Sequence, residues 1–225
     1  MRRIASLLVV AVVSLCICYP AAAEEKAKPV KLFNGECLDG WDCLTVKPEV
    51  KVEQVWSVKD GVLICKGKPM GYLHTKKEYT SFKLSLEWRW ADKPSNSGVL
   101  LRVTGKPASF LPKCLEAQLK GGSAGDIYGF FGFKCKGPAD RFKQLKKHPV
   151  LGDMCAVGKI KGAEKKAGEW NKMDITLDGP TLTVAVNGEE VNKATDCDVI
   201  AGTIALQSEG GEIHFRNINL TPIEK

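Results

Sequence analysis

The sequence predicts an all-β fold, a sandwich or jelly roll of two antiparallel sheets, and three observations carry that prediction. Apolar and polar residues alternate with period 2 in many short segments, as where Leu84, Leu86, Trp88 and Trp90 interleave with Ser85, Glu87 and Arg89. Turn signals such as Asn34-Gly35, Asp39-Gly40, Asp60-Gly61 and Asn187-Gly188 fall between such segments. Beyond the N-terminal apolar run nothing keeps a helical period for three turns, so two stacked sheets are the economical way to bury one face of every strand.

Residues 1–23 are expected to be an export signal. Arg2 and Arg3 precede an apolar run from Ile4 to Tyr19, and Ala21-Ala22-Ala23 supplies small residues for cleavage before Glu24. The run is short for a bilayer and no later stretch is longer, so the expectation is an exported protein, periplasmic or extracellular, with no membrane span. A flexible lead-in, 24–30, then precedes one domain, 31–225. Within it, 31–41 reads as a short strand and turns with Trp41 as a core anchor, 55–65 as a hairpin about Lys59-Asp60-Gly61, and 71–75 as a strand. The segment 93–98 has the residues of a loop. From 121 to 168 the alternation weakens into a glycine-rich stretch and a basic run, and any small helix belongs near 139–147. Order returns in strands at 172–177, 181–186, 189–191, 202–207 and 212–220.

The segment 81–120 organises the rest. Leu84, Leu86, Trp88 and Trp90 take one side of its first strand. In 98–103, Val99, Leu101 and Val103 oppose Arg102; in 114–120, Leu115, Ala117 and Leu119 oppose Glu116, Gln118 and Lys120. If the three strands share one sheet and one core side, Glu87, Arg89, Arg102, Glu116 and Gln118 gather on its other side as a polar pit, the candidate site. The same parity would also build an ion-pair lattice on a plain sheet surface.

The formal charge of +7 is spread along the chain rather than packed into one tract, so a nucleic-acid partner is not expected. Seven of the nine cysteines follow residue 23, an odd number that allows three bridges and one spare thiol in an oxidising compartment, with Cys37 and Cys43 able to close a short loop. There is no C-x-x-C, and His74, His148 and His214 lack zinc spacing, so no metal or other cofactor is called for. Gly121-Gly122-Ser123-Ala124-Gly125 fits G-x-S-x-G, but that motif needs a strand-to-helix turn, and Asp126-Ile127-Tyr128-Gly129 does not open a helix.

Several blocks, KLFNGECLDGW, WSVKDGVL, NSGVLLR, LEAQLK, GEWNKMDITLDG, VNGEEV and IALQSEGGEIHFRNINLTPI, occur in an order that resembles the 3-keto-disaccharide hydrolase family over nearly all of 31–223. The resemblance implies a concanavalin A-like jelly roll, a bacterial exported protein and action on 3-keto sugars or glycosides. Glucanases of that fold carry an acidic E-x-D-x-E strand; here Glu116-Ala117-Gln118-Leu119-Lys120 supplies one acid where retaining hydrolysis needs two. A 3-keto sugar needs one base, because its ketone acidifies the neighbouring C–H, and elimination followed by hydration then cleaves the glycoside. On this reading Glu116 is the base, Arg102 or Arg89 holds the enolate oxygen, and Gln118, Asn96 and Glu87 orient hydroxyls. Tyr128, with Phe130, Phe131 and Phe133, could form a sugar platform, and Gln207 of the closing block could bind sugar or tie its strand down. The alternative is a lectin-like carbohydrate-binding domain using the same pit without turnover.

Overall fold

A computed structural model describes residues 28–105 and 110–224. The expected export signal and residues 24–27 of the lead-in lie outside the described residues. The strands, in chain order, are β1 (Val30–Lys31), β2 (Trp41–Thr45), β3 (Trp56–Lys59), β4 (Val62–Cys65), β5 (Gly71–Thr75), β6 (Phe82–Trp90), β7 (Gly98–Thr104) and β8 (Lys113–Gln118). After them come β9 (Ile127–Phe130), β10 (Phe142–His148), β11 (Gly152–Val157), β12 (Asn171–Asp178), β13 (Thr181–Val186), β14 (Glu189–Ala194), β15 (Thr203–Ser208) and β16 (Ile213–Pro222). A single helical turn, α1 (Val52–Val55), leads into β3.

These strands form two antiparallel sheets, a jelly-roll sandwich. One runs β14-β13-β12-β6-β16-β4-β3 with β1 added on β16; the other runs β10-β11-β9-β8-β7-β15-β5-β2. Between them lies the main core. Leu84, Leu86, Trp88 and Trp90 of β6 meet Met173, Ile175 and Leu177 of β12 on one side and Val99, Leu101, Leu115, Ala117, Ile204 and Leu206 on the other, all buried. The alternation read along β6 is therefore a one-face-buried strand. Trp41 is buried at the start of β2, where its indole N–H donates to the carbonyl of Leu32 at 2.6 Å.

A smaller apolar cluster, Tyr72, Leu100, Val103, Cys114, Phe130 and Ala205, lies on the opposite, outer face of the second sheet. It sits there because β7 changes parity. Between Leu101 and Thr104 the chain carries one extra residue against β8, with Arg102 in the left-handed region at φ 50°. Val103 is thereby turned to the outer face and Arg102 away from it.

The stretch 139–147, expected to hold any helix, is instead a turn at 139–141 followed by the edge strand β10. All seven of its residues are exposed or partly exposed, so neither face has an apolar set and no period survives to be read. Gly121 to Gly125 form the turn from β8 into β9, so Ser123 does not occupy a nucleophile elbow.

Candidate functional site

The structure separates the residues that the strand parity had gathered, because β6 belongs to one sheet and β7 and β8 to the other. Glu87 and Arg89 lie on the outer face of the first sheet. There Arg216 Nε donates to Glu87 Oε2 at 2.6 Å, Asn217 Nδ2 donates to Oε1 at 3.1 Å, and Arg89 Nε donates to His214 Nδ1 at 3.2 Å. Both guanidinium groups stack on Trp170, with Cζ 4.7 Å (Arg89) and 4.0 Å (Arg216) from the ring centroid. Burial raises the proton affinity of Glu87, but the hydrogen bonds and charge of Arg216, with Asn217, outweigh it and hold the carboxyl below its ordinary range. Glu87 and Arg89 thus belong to a surface cluster with Arg216, His214 and Trp170, on the side of the sandwich away from Glu116, and form no lattice with Arg102 or Glu116.

Arg102 is also displaced from the pit. Turned by the β-bulge, it is fully buried and spends its guanidinium on backbone carbonyls, those of Thr80 (2.8 and 2.5 Å), Asp198 (2.6 Å) and Gly179 (2.8 Å). With its donors so occupied it ties three chain segments together and is not available to an enolate.

What the second sheet does gather is Glu116, Gln118, Gln207, Asn96 and Tyr128. Cross-strand registers set all but Asn96 in two rows on its outer face. One row runs Lys143, Ala156, Tyr128, Glu116, Leu100, Ala205, His74, Asp42, and the other passes from Gln118 to Gly98 on one pair of strands and from Gln207 through Tyr72 to Leu44 on another. Glu116 lies at the floor, 2% exposed, with its carboxyl lying over Gly98; a Cβ on that glycine would meet Glu116 Oε1 at 1.9 Å. Gln118 Nε2 faces Glu116 Oε2 at 3.4 Å, while its own carbonyl accepts from the backbone N–H groups of Leu119 (2.9 Å) and Lys120 (2.8 Å). Burial, and secondly the charge of Glu209, push the Glu116 carboxyl up to about 8.

Glu209 was not singled out by the sequence reading. It pairs as an isolated bridge with Asn96 and, two residues beyond Gln207, takes the same side. Its proton affinity is raised by burial, against the opposing pull of a hydrogen bond from Asn96 and the charge of Lys120. Continuing the alternation Gln207, Glu209 past the end of β15 would have found it. The buried oxygens Asn96 Oδ1 and Gln207 Oε1 have no hydrogen-bond partner, although Gln207 is 1% exposed. Two orphaned acceptors beside two carboxyls suit a ligand rich in hydroxyl groups, since each O–H removes a desolvation penalty.

Hollows lie toward the two ends of the first row, and neither is lined by Glu116 itself. One, about 320 Å³, is lined by Leu44, Tyr72, His74, Glu78, Val103 and Thr203 among others; the second, about 370 Å³, is bounded by Tyr128, Lys143, Leu145, Met154 and Ala156. Tyr128 stacks on Phe130 with ring centroids 5.8 Å apart and planes 5° from parallel. Of the other aromatics considered for a platform, Phe133 is buried in the main core and Phe131 occupies the turn after β9.

Residues 28–221 match the family described as the 3-keto-alpha-glucoside-1,2-lyase-like domain. The chain belongs to this family. No functionally curated protein matches it significantly in sequence. Among solved structures, an assumed glycosyl hydrolase from Parabacteroides distasonis is 25% identical, with 87% of this chain and 100% of that one covered and a TM-score of 0.60. Carbohydrate-binding module CBM66 from Bacillus subtilis is similar at 11% identity, 81% and 95% coverage and a TM-score of 0.58. A β-glucanase of Bacillus licheniformis is similar at 11% identity, 90% and 100% coverage and a TM-score of 0.52. At that identity the last two likenesses are likenesses of fold. Family membership gives this domain a carbohydrate-active role.

Proposed function

We propose that this protein is an exported enzyme that cleaves 3-keto glycosides by elimination and hydration, with Glu116 as the base. The observation that carries the reading is a solvent-shielded carboxyl on the outer face of a sheet, raised to about 8, near the unpartnered amide oxygens of Asn96 and Gln207. An ordinary carboxylate is a feeble base toward carbon. One with a proton affinity near neutrality is better matched to a C–H acidified by an adjacent ketone.

The C3 ketone acidifies the proton on C2. Glu116, ionised and rotated off Gly98 toward the sugar, takes that proton, and the electron pair passes through the enolate to form the C1–C2 double bond as the C1–O bond breaks. The released oxygen takes a proton from water, the hydroxide so formed adds at C1, and Glu116 returns its proton to C2, so the net change is hydrolysis. The amide N–H of Gln207 replaces the arginines as donor to the ketone oxygen, the unpartnered oxygens of Gln207 and Asn96 accept from sugar hydroxyls, and Gln118 stays beside the base. Tyr128 lies across the strand pair from Glu116, where a sugar ring could pack on it.

The test is turnover of a 3-keto-glucoside followed against pH. Wild type is expected to gain rate with pH and reach half its maximum near 8, and Glu116→Gln to lose at least a hundredfold in kcat with its fold intact. Undiminished turnover by Glu116→Gln removes this residue from the reaction. The orphaned amides equally suit a lectin-like module; tight binding of plain disaccharides with no aglycone released from any 3-keto-glucoside would favour that second reading.

A further inference from the structure

Seven cysteines lie among the described residues, and none is bonded to another in this structure, Cys37 and Cys43 included. Cys135 and Cys155 stand apart from the rest. Their Sγ atoms are 2.9 Å apart and buried, closer than unbonded sulfurs normally rest. Cys155 lies on β11 opposite Gly129 of β9, and Cys135 follows the turn by which the chain leaves β9. A Cβ at Gly129 would meet the Phe133 carbonyl oxygen at 2.4 Å and Cys155 Sγ at 2.8 Å, so the missing side chain makes the room in which the two sulfurs meet.

We propose that Cys135 and Cys155 are joined as a disulfide in the mature protein, a staple between β11 and the chain returning from β9. The oxidant is a disulfide of the thiol–disulfide exchange class, such as glutathione disulfide. Either cysteine can begin; taking Cys155, its thiolate attacks first. Its sulfur bonds to one sulfur of the oxidant and releases the other as a thiol. Cys135, losing its own proton, then displaces the second. The two cysteines give up two protons and two electrons, and the oxidant's disulfide becomes two thiols. Since both sulfurs end buried, the bond closes before the sandwich does and is afterwards sheltered from reductant.

The staple bears on the outer face of the second sheet. β11 carries Met154 and Ala156, which with Tyr128 of β9 and Lys143 and Leu145 of β10 bound the larger hollow. Across a separation of 20 residues, a covalent link would hold that wall against the outward fraying of an exposed edge strand. The inference stands independently of any catalytic role for Glu116.

The experiment maps thiols in the full-length protein folded in an oxidising glutathione buffer. After acid quenching, alkylation under denaturing conditions and digestion without reductant, mass spectrometry is expected to find the peptides containing Cys135 and Cys155 joined, both unalkylated. Alkylation of both residues in most molecules overturns the proposal, as does joining of one of them to the neighbouring Cys197. In a second measurement, wild type unfolded and refolded in dithiothreitol, which reaches the bond only in the open chain, is expected to melt about 5–10 °C lower than oxidised wild type, and the same treatment to leave the Cys135→Ser/Cys155→Ser variant unmoved. An equal fall in both proteins also overturns it.

Discussion

Glu116 shows how a single carboxyl on a sheet can differ from its neighbours in kind. Glu87 lies on the other sheet against Arg216 and is held below its ordinary range, whereas Glu116 has an amide at 3.4 Å, a second carboxylate nearby and almost no water. The difference has a consequence for stability. The folded state holds the Glu116 proton more tightly than the unfolded state does, so its contribution is fully present below the ordinary value of 4.5 and is lost as pH rises toward about 8. Glu116→Gln removes the ionisation, and urea denaturation from pH 4 to 9 is expected to find the variant gaining on wild type as pH rises. The gain is on the order of 3 kcal/mol by pH 7, and it closes at the acid end. A difference independent of pH would mean that the carboxyl titrates normally.

At the level of the strand, β7 decides what faces the site. Its bulge sends Arg102 to the carbonyls of Thr80, Gly179 and Asp198, so Arg102→Met would leave three backbone acceptors unpaired at once. The expected loss is about 3 kcal/mol or more in denaturant titrations, with turnover per folded molecule unchanged. Gly98, at the other end of β7, acts on chemistry instead. Gly98→Ala would place a methyl group where the Glu116 carboxyl now lies, and because that carboxyl is the far end of a flexible side chain it can swing outward without unfolding the sheet. Better solvated, it should titrate lower, and the rising limb of the pH–rate profile is expected to move down by at least one pH unit. A limb that stays near 8 would show that the contact over Gly98 does not set the proton affinity. Neither effect was legible in sequence. A bulge adds one residue without any change of composition, so alternation read through Arg102 and Val103 assigned both to the wrong face. The edge strand β10 was hidden for a related reason, since a segment with no buried side has no period at all.

Across the whole molecule, the layering was legible because burial of one face imprints period 2 on β6, β12, β13, β15 and β16, and every one of these was read close to its observed bounds. Which strands share a sheet was not, since β6 and β7 are consecutive in the chain yet lie in different layers. Parity alone cannot tell two outer faces apart. Gln118, Gln207 and Tyr128 were rightly grouped with Glu116 in space, and Glu87 and Arg89 were not. The sheets of such a sandwich pack about 10 Å apart with a dry core between them, so charge on one outer face reaches the other only weakly and no side chain crosses. The cluster of Glu87, Arg89, Arg216 and Trp170 should therefore be dispensable for chemistry. Arg89→Ala loses one stacking contact and one hydrogen bond at a partly exposed surface, for which about 1 kcal/mol of stability is the expected cost. Its kcat/KM on a 3-keto-glucoside should stay within twofold of wild type. Gln207→Ala, on the face that carries Glu116, should instead lower kcat/KM by tenfold or more, and the two variants measured side by side locate the working surface. A tenfold loss in Arg89→Ala with Gln207→Ala unaffected would place the chemistry on the first sheet and leave the raised carboxyl of Glu116 without a catalytic part.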